Sequence, residues 1–262
     1  MKNLGLLDLP APLLELLDQG LSGLGLPALL RVLLYGIMSG WLSMVLYRRW
    51  SNQEELAELS AATRTLRREL SGYDGPFDGL LERALKLLKL NSRHLRLSFV
   101  PALLAGLPLL LVLPWLSNQF SLSWPDTGST VQIRAEGLPA NAVIPRWTDP
   151  TAQWEPATQT WTLTWPASSA SVALRWKQES LYELPGEHPA TTVHRRLPLF
   201  NTLIGNPAGY LPDDAPLAAL HLEMPQRELH VFGPGWMRGW LFCYLVTVFA
   251  TALLLRWRWK LA

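Results

Sequence analysis

The chain has 262 residues, with 23 Lys and Arg against 21 Asp and Glu and a net charge of +2. Apolar residues make up 49% and charged residues only 17%, against about 25% charged in ordinary soluble domains. This balance excludes intrinsic disorder and argues against a nucleic-acid partner. A single cysteine, Cys243, excludes a disulfide framework and a Cys-ligated zinc or iron–sulfur centre.

Residues 1–27 form a lead-in. Within Ala11–Gln19, Leu13, Leu14, Leu16 and Leu17 share one arc, with Glu15, Asp18 and Gln19 opposite. The pattern predicts a short amphipathic helix lying in the outer membrane interface, or an ordinary surface helix packed on a soluble domain. Gly23, Gly25 and Pro27 then turn the chain inward. From Leu21 to Tyr47 only Arg31 carries a charge, which predicts a first membrane helix over 28–47. The positive charges Arg48 and Arg49 follow this run, so it reads as an uncleaved anchor and not a signal peptide.

Residues 48–97 read as a coiled-coil hairpin. Leu56, Leu59, Thr63, Leu66 and Leu70 form the seam of one arm, and Leu81, Ala84, Leu88, Asn91 and Leu95 that of the other. The breaker cluster SGYDGPFDG, residues 71–79, separates the arms. No break is visible between Tyr47 and Ser51 or between Leu90 and Leu97, so each arm is expected to run into a membrane helix. Arg64, Arg67, Arg68, Arg83, Lys86 and Lys89 form a basic face, either a solvated surface or a patch for anionic lipid or a client chain.

Phe99–Leu116 contains no charge over 18 residues and predicts a second span at 98–117. Residues 118–234 change character. The segments 119–124, 130–136, 161–165, 171–177, 190–195 and 218–232 alternate apolar and polar residues between turn formers, which predicts a β-sandwich. Its Trp124, Trp147, Trp154, Trp161, Trp165 and Trp176 are expected to fill the core; a sugar-stacking surface is the alternative. Gly239–Leu255 supplies 17 more uncharged residues and a third span at 235–256, followed by a basic tail at 257–262. Trp115, Trp236, Trp240 and Trp257 sit at the ends of these runs, as interfacial anchors do.

Lys and Arg counts set the expected orientation. The segment 48–96 has ten basic residues against seven acids, and 118–233 has seven against eleven. Arg256, Arg258 and Lys260 make the tail basic. The hairpin and C-terminus are therefore expected in the cytoplasm, and the N-terminus and β domain outside.

The sequence carries no catalytic motif. His94, His188, His194, His221 and His230 form no HxxxH or HExxH pair, and there is no GxSxG, P-loop or dinucleotide fingerprint. Asp213 and Asp214 could ligand calcium, but two acids in a Pro-rich loop read first as a turn. No enzyme activity, cofactor or metal is expected.

The first helix ending in YRRWSNQEEL, the charged hairpin and the entry LKLNSRHLRLSFVPALLAGLPLLLVLPWL resemble the YidC-type membrane protein insertases. The three-helix archaeal members and the insertase subunit of the endoplasmic reticulum membrane protein complex are the most similar. Asn91, Pro101 and Pro108 are among the matched features, and the resemblance covers roughly residues 1–118 and 235–262. Unlike the Gram-negative insertases, this chain has its β domain between helices two and three.

The resemblance implies non-enzymatic insertion of short hydrophobic segments through a polar groove. Helical spacing puts Arg31, Tyr35, Ser39 and Ser43 toward one face of helix one, with Gly36 and Gly40 adjoining. Cys243, Thr247 and Thr251 share a face of helix three. Arg31, Tyr35, Ser39, Ser43, Thr247 and Thr251 are thus the candidate groove residues, with hydrogen bonding inside a closed bundle as the other reading. Arg31, near the outer end of its helix, either lines the groove or snorkels to the interface.

The expected class is an α-helical integral membrane protein of the bacterial cytoplasmic (inner) membrane. It has three transmembrane helices, a cytoplasmic antiparallel helical hairpin and an inserted extracytoplasmic all-β sandwich-like domain. Its expected partners are the lipid bilayer and hydrophobic client membrane proteins, with room for other membrane subunits. The alternative function is a membrane-anchored scaffold or receptor whose β domain binds a protein or glycan.

Overall fold

A computed structural model describes residues 5–139, 141–167, 170–186 and 188–261. The chain divides into two compact units. One comprises Met1–Val32 with Leu111–Cys243, the other Leu33–Leu110 with Tyr244–Ala262.

The helices are α1 (Ala11–Gly23), α2 (Ala28–Trp50), α3 (Gln53–Ser71), α4 (Phe77–Phe120), α5 (Phe200–Leu203), α6 (Gly235–Arg238) and α7 (Trp240–Trp259). Three of them, α2, α4 and α7, are long and apolar enough to cross a membrane, with mean hydropathies of 1.7, 2.2 and 1.7. Only 33, 17 and 22% of their apolar windows are buried within the protein. So much exposed apolar surface needs an apolar solvent or a partner.

The second hairpin arm does run unbroken into the apolar segment, since α4 is one helix of 44 residues. Pro101 and Pro108 lie inside it without ending it, buried on either side of Ala105. The first arm differs from expectation. The chain breaks at Ser51–Asn52, where the Asn52 side chain accepts a hydrogen bond from Glu55 N and starts α3 as an N-cap.

Among the described residues the β region holds eight strands: β1 (Thr130–Glu136), β2 (Arg146–Trp147), β3 (Gln153–Glu155), β4 (Thr160–Thr164), β5 (Val172–Trp176), β6 (Glu179–Leu184), β7 (Thr192–His194) and β8 (Ala219–Leu222). They form a five-stranded sheet ordered β3-β4-β1-β8-β7 and a three-stranded sheet ordered β2-β5-β6, both antiparallel in their pairings. β1 shows strict alternation. Val131, Ile133 and Ala135 are buried while the residues between them face solvent, the period-2 pattern of a half-buried strand.

Both sheets contribute to one core. Ile133, Trp161, Leu163, Val193 and Leu220 from the larger sheet cluster with Trp147, Leu174, Leu181 and Leu184 from the smaller. The tryptophans divide: Trp147, Trp161 and Trp165 are buried in this core, whereas Trp124, Trp154 and Trp176 are partly buried against it.

Two expected strands are corrected. Residues 119–124 form the end of α4 and an isolated bridge from Leu122 to Gln226. Of 218–232 only Ala219–Leu222 is a strand, because Pro225 and the segment beyond it leave the ladder. The short β2 and β3 and the hairpin strand β6 carry too few alternating residues to stand out in the sequence.

Tyr182 on β6 is 9% exposed, and its hydroxyl has no hydrogen-bond partner among the described residues. Burial pushes its pKa from 10.0 up to about 12. A raised acid pKa contributes stability that is fully present below the unfolded value and is lost as pH rises through the folded one. Thermal unfolding should therefore show stability falling between pH 10 and about 12. Tyr182→Phe should flatten that fall and, by removing an unsatisfied buried hydroxyl, stabilise the protein at neutral pH by about 1 kcal/mol.

Candidate functional site

The groove candidates fall into three arrangements. Arg31, near the start of α2, is 8% exposed. Its Nη1 lies 2.5 Å from Asp18 Oδ2, with the two side chains 10% and 4% exposed. Gln119 Nε2 donates to the same oxygen at 3.3 Å. The Arg31 guanidinium sits 5.2 Å from the Phe120 ring centroid and that of Arg227 5.8 Å from it, within cation–π range. Burial and the neighbouring Arg31 cation push the Arg227 guanidinium below its usual value, while Asp18 acts the other way. Arg31 is thus neither on an open face nor reaching water. It is the buried partner of an acid.

Asp18 overturns its own expectation. It belongs to the buried face of α1 with Ala11 and Leu14, while Leu13 and Leu16 are exposed. The sequence did hold a signal for this pairing, because Arg31 is the lone charge in its apolar run and an apolar environment requires such a charge to find a counter-ion.

The second arrangement joins α2 to α7. Tyr35 and Ser39 are buried, at 2% and 5% exposure, and Tyr244 of α7 is fully buried. A Cβ added at Gly36 would lie 2.8 Å from Thr247 Cβ and 3.2 Å from the Tyr244 carbonyl oxygen. One added at Gly40 would lie 3.0 Å from both Thr251 Cβ and the Val248 carbonyl oxygen. These glycines let the helices approach closely, a small-xxx-small contact. The polar stripe of α7 therefore meets the glycine face of α2, with Thr247 and Thr251 packed into the notches. In the third arrangement Ser43 Oγ donates to the Ala105 carbonyl of α4 at 2.5 Å.

The hairpin arms pair through Arg93 Nη2 to Glu55 Oε1 at 2.6 Å and through Ser60 Oγ and His94 Nε2 at 3.4 Å. On α3 the seam is Leu56, Leu59 and Leu66, all buried, as the spacing predicts. On α4 the expected seam is displaced. Leu81, Leu88 and Leu95 are 47, 62 and 66% exposed, and the less exposed row is Ala84, Leu87, Asn91 and His94. Leucines surround this arm, so spacing alone does not select which row faces α3.

The result is an exposed stripe. Leu81, Leu85, Leu88, Leu95 and Phe99 recur at intervals of three, four or seven on one face of α4, and Leu103 and Leu110 continue it. Lys89 and Arg96 border it and are exposed. Of the basic-face candidates, Arg64, Arg67, Arg68, Lys86 and Lys89 are exposed. Arg83 is not free: its guanidinium lies 4.2 Å from the Tyr73 ring centroid, and its Nη1 donates to the Gly79 carbonyl at 2.9 Å. Among the described residues no group of three or more His, Cys, Asp and Glu could hold a metal ion.

The Asp18–Arg31 contact can be weighed by a double-mutant cycle. Asp18→Leu alone should destabilise by about 3–5 kcal/mol, because it strands a buried guanidinium. Pairing it with Arg31→Met should recover most of that loss, since an apolar pair of similar volume is often neutral in such a site. Equal losses in the single and double variants, measured by thermal or denaturant unfolding, would show that the charges do not depend on each other. The chain matches no family model, and no curated protein or solved structure matches it.

Proposed function

We propose that this chain is a multi-pass protein of the bacterial cytoplasmic membrane that acts as a YidC-like insertase or insertion chaperone without enzymatic chemistry. In this reading α2, α4 and α7 cross the bilayer. The N-terminus and the β region lie outside, and the hairpin and C-terminus lie in the cytoplasm. The Lys and Arg asymmetry of the sequence supports that orientation.

The observation that carries the reading is the exposed stripe on α4, Leu81 to Leu110, bordered by Lys89 and Arg96. A hydrophobic segment arriving from the cytoplasm would cover apolar surface along the hairpin and pass to lipid along the same helix face. No charged residue interrupts α4 beyond Arg96. The basic border suits anionic headgroups or acidic flanks of the client. The closed packing of α2 on α7 supports α4 over the α2–α7 face as the proposed client path.

Labelling, crosslinking and insertion assays test this. The single native cysteine is buried, so introduced cysteines report topology with little background. A cysteine at Ser71 should resist an impermeant thiol reagent in intact cells and one at Ser180 should label; the reverse pattern rejects the orientation. Photocrosslinkers at Leu88 and Leu107 should capture nascent membrane proteins, and replacing Leu81, Leu85 and Leu88 with Gln should impair client insertion in a protein that remains folded. Thr247→Val with Thr251→Val should leave insertion intact, because the methyl contacts to Gly36 and Gly40 are kept. Crosslinks to lipid alone would defeat the client-path reading.

A further inference from the structure

The β region contains a cleft of about 970 Å³ that nothing in the insertion reading uses. Trp147, Trp154 and Trp176 line it together with Arg146, Arg175 and Lys177. Its volume is that of an organic ligand site, not of a bare ion.

The charges there are unbalanced. Arg146 on β2 and Arg175 on β5 are directly opposed in the antiparallel register. Like charges at such positions repel. Neither makes an ion pair among the described residues, where four ion pairs form elsewhere. Lys177 adds a third cation, with Nζ 4.0 Å from the Trp176 ring centroid. Lys177 and Gln178 form the two-residue turn between β5 and β6, at φ 49° and 77°. That left-handed conformation favours Gly or Asn, so a Lys and a Gln are held there against their backbone preference. Asp149, the one carboxylate among the described residues that line the cleft, accepts hydrogen bonds from Thr151 N and Oγ1 at 2.8 Å.

Aromatic surface lies beside these cations: Trp154 and Trp176 are partly buried against the core, and Trp147 is 7% exposed. Val143 and Ile144 add exposed apolar surface at the rim. A ligand that completes the site needs negative charge and an apolar face. Strand addition by a peptide fits poorly, because the edge strand β2 is two residues long and carries Arg146. Short charged edges resist pairing with another chain.

We propose that this cleft binds an anionic saccharide, with Arg146, Arg175 and Lys177 holding its carboxylate or phosphate and the tryptophans taking its ring. The assignment does not rest on the insertion reading, and either can fail alone.

The full chain in detergent is titrated with trigalacturonate, a phosphorylated maltotriose, neutral maltotriose and a Glu-rich hexapeptide, followed by tryptophan fluorescence and calorimetry. At least one charged saccharide should bind saturably, about tenfold or more tighter than neutral maltotriose, the scale of a lost charge-assisted contact. Arg146→Gln with Arg175→Gln should weaken that binding by about tenfold or more on the same ground. It should not lower the thermal midpoint, because it removes a repulsion. Trp176→Phe should retain binding and Trp176→Ala lose it. The proposal is overturned if neither charged saccharide binds the folded protein, if neutral maltotriose binds equally well, or if the peptide binds more tightly. A double variant that binds normally, or one whose thermal midpoint falls, also overturns it, since the arginines would then be dispensable or structural.

Discussion

The buried Asp18–Arg31 ion pair constrains more of this chain than any other contact. Its 2.5 Å separation fixes α1 against the start of α2, and Gln119, Phe120 and Arg227 close around it from the end of α4 and the segment after β8. Such a pair gains little over apolar packing, but loss of either partner strands a charge, which makes the arrangement specific. It also sets the rotation of α1. With Asp18 turned inward, a helix of 100° per residue must turn Leu13, Leu16 and Leu17 outward, and these are exposed. The same choice that buries a charge therefore displays an apolar arc, suited to a lipid interface. Asp8 anchors the preceding turn, accepting from Gly5 N at 2.9 Å and Gly205 N at 2.7 Å.

Past Arg31, α2 changes its chemistry from ion pairing to close approach. Gly36 and Gly40 admit Thr247 and Thr251 of α7, and Ser43 bonds a carbonyl of α4. Packing of this kind turns polar groups toward a neighbouring helix, and in a bilayer each unmet one would be costly. An insertion function then has to use another surface. The apolar stripe of α4 is such a surface, and it is exposed because α3 takes a different face of the helix.

What the sequence made legible follows from where one pattern dominates. The uncharged runs predict α2, α4 and α7 because length and hydropathy suffice for such helices. β1 is legible because Val131, Ile133 and Ala135 alternate with polar residues over seven positions. The break before α3 was also written in the sequence, as an Asn with a Glu three residues on, but the charge-rich surroundings disguised it. The α4 seam was not legible, because Leu80, Leu81, Leu85, Leu87 and Leu88 offer several apolar rows and only the position of α3 selects one. The polar residues of the stripes lie on α2 and α7, and the contact between those helices depends on glycine notches. A Gly beside a Ser or Thr stripe reads equally as a groove wall or as a docking surface until the partner helix is in place.

Charge is handled in two opposite ways in this molecule, and the contrast separates structural from functional arginines. Where Arg31 leaves water, the chain supplies its own acid, and the pair is enclosed by an amide and an aromatic ring. Where Arg146 faces Arg175 the chain supplies none, although Asp149 lies in the same cleft. The two arginines are exposed, so solvent screens their repulsion and the fold tolerates it. A buried like-charge pair would be too costly to keep; an exposed one is cheap, and it leaves a positive field over aromatic surface. A folding role does not require opposed cations on a two-residue edge strand, since any polar pair would cap that edge at lower cost. An anion from outside the chain would turn that tolerated repulsion into a paired site, which is what the proposed ligand supplies.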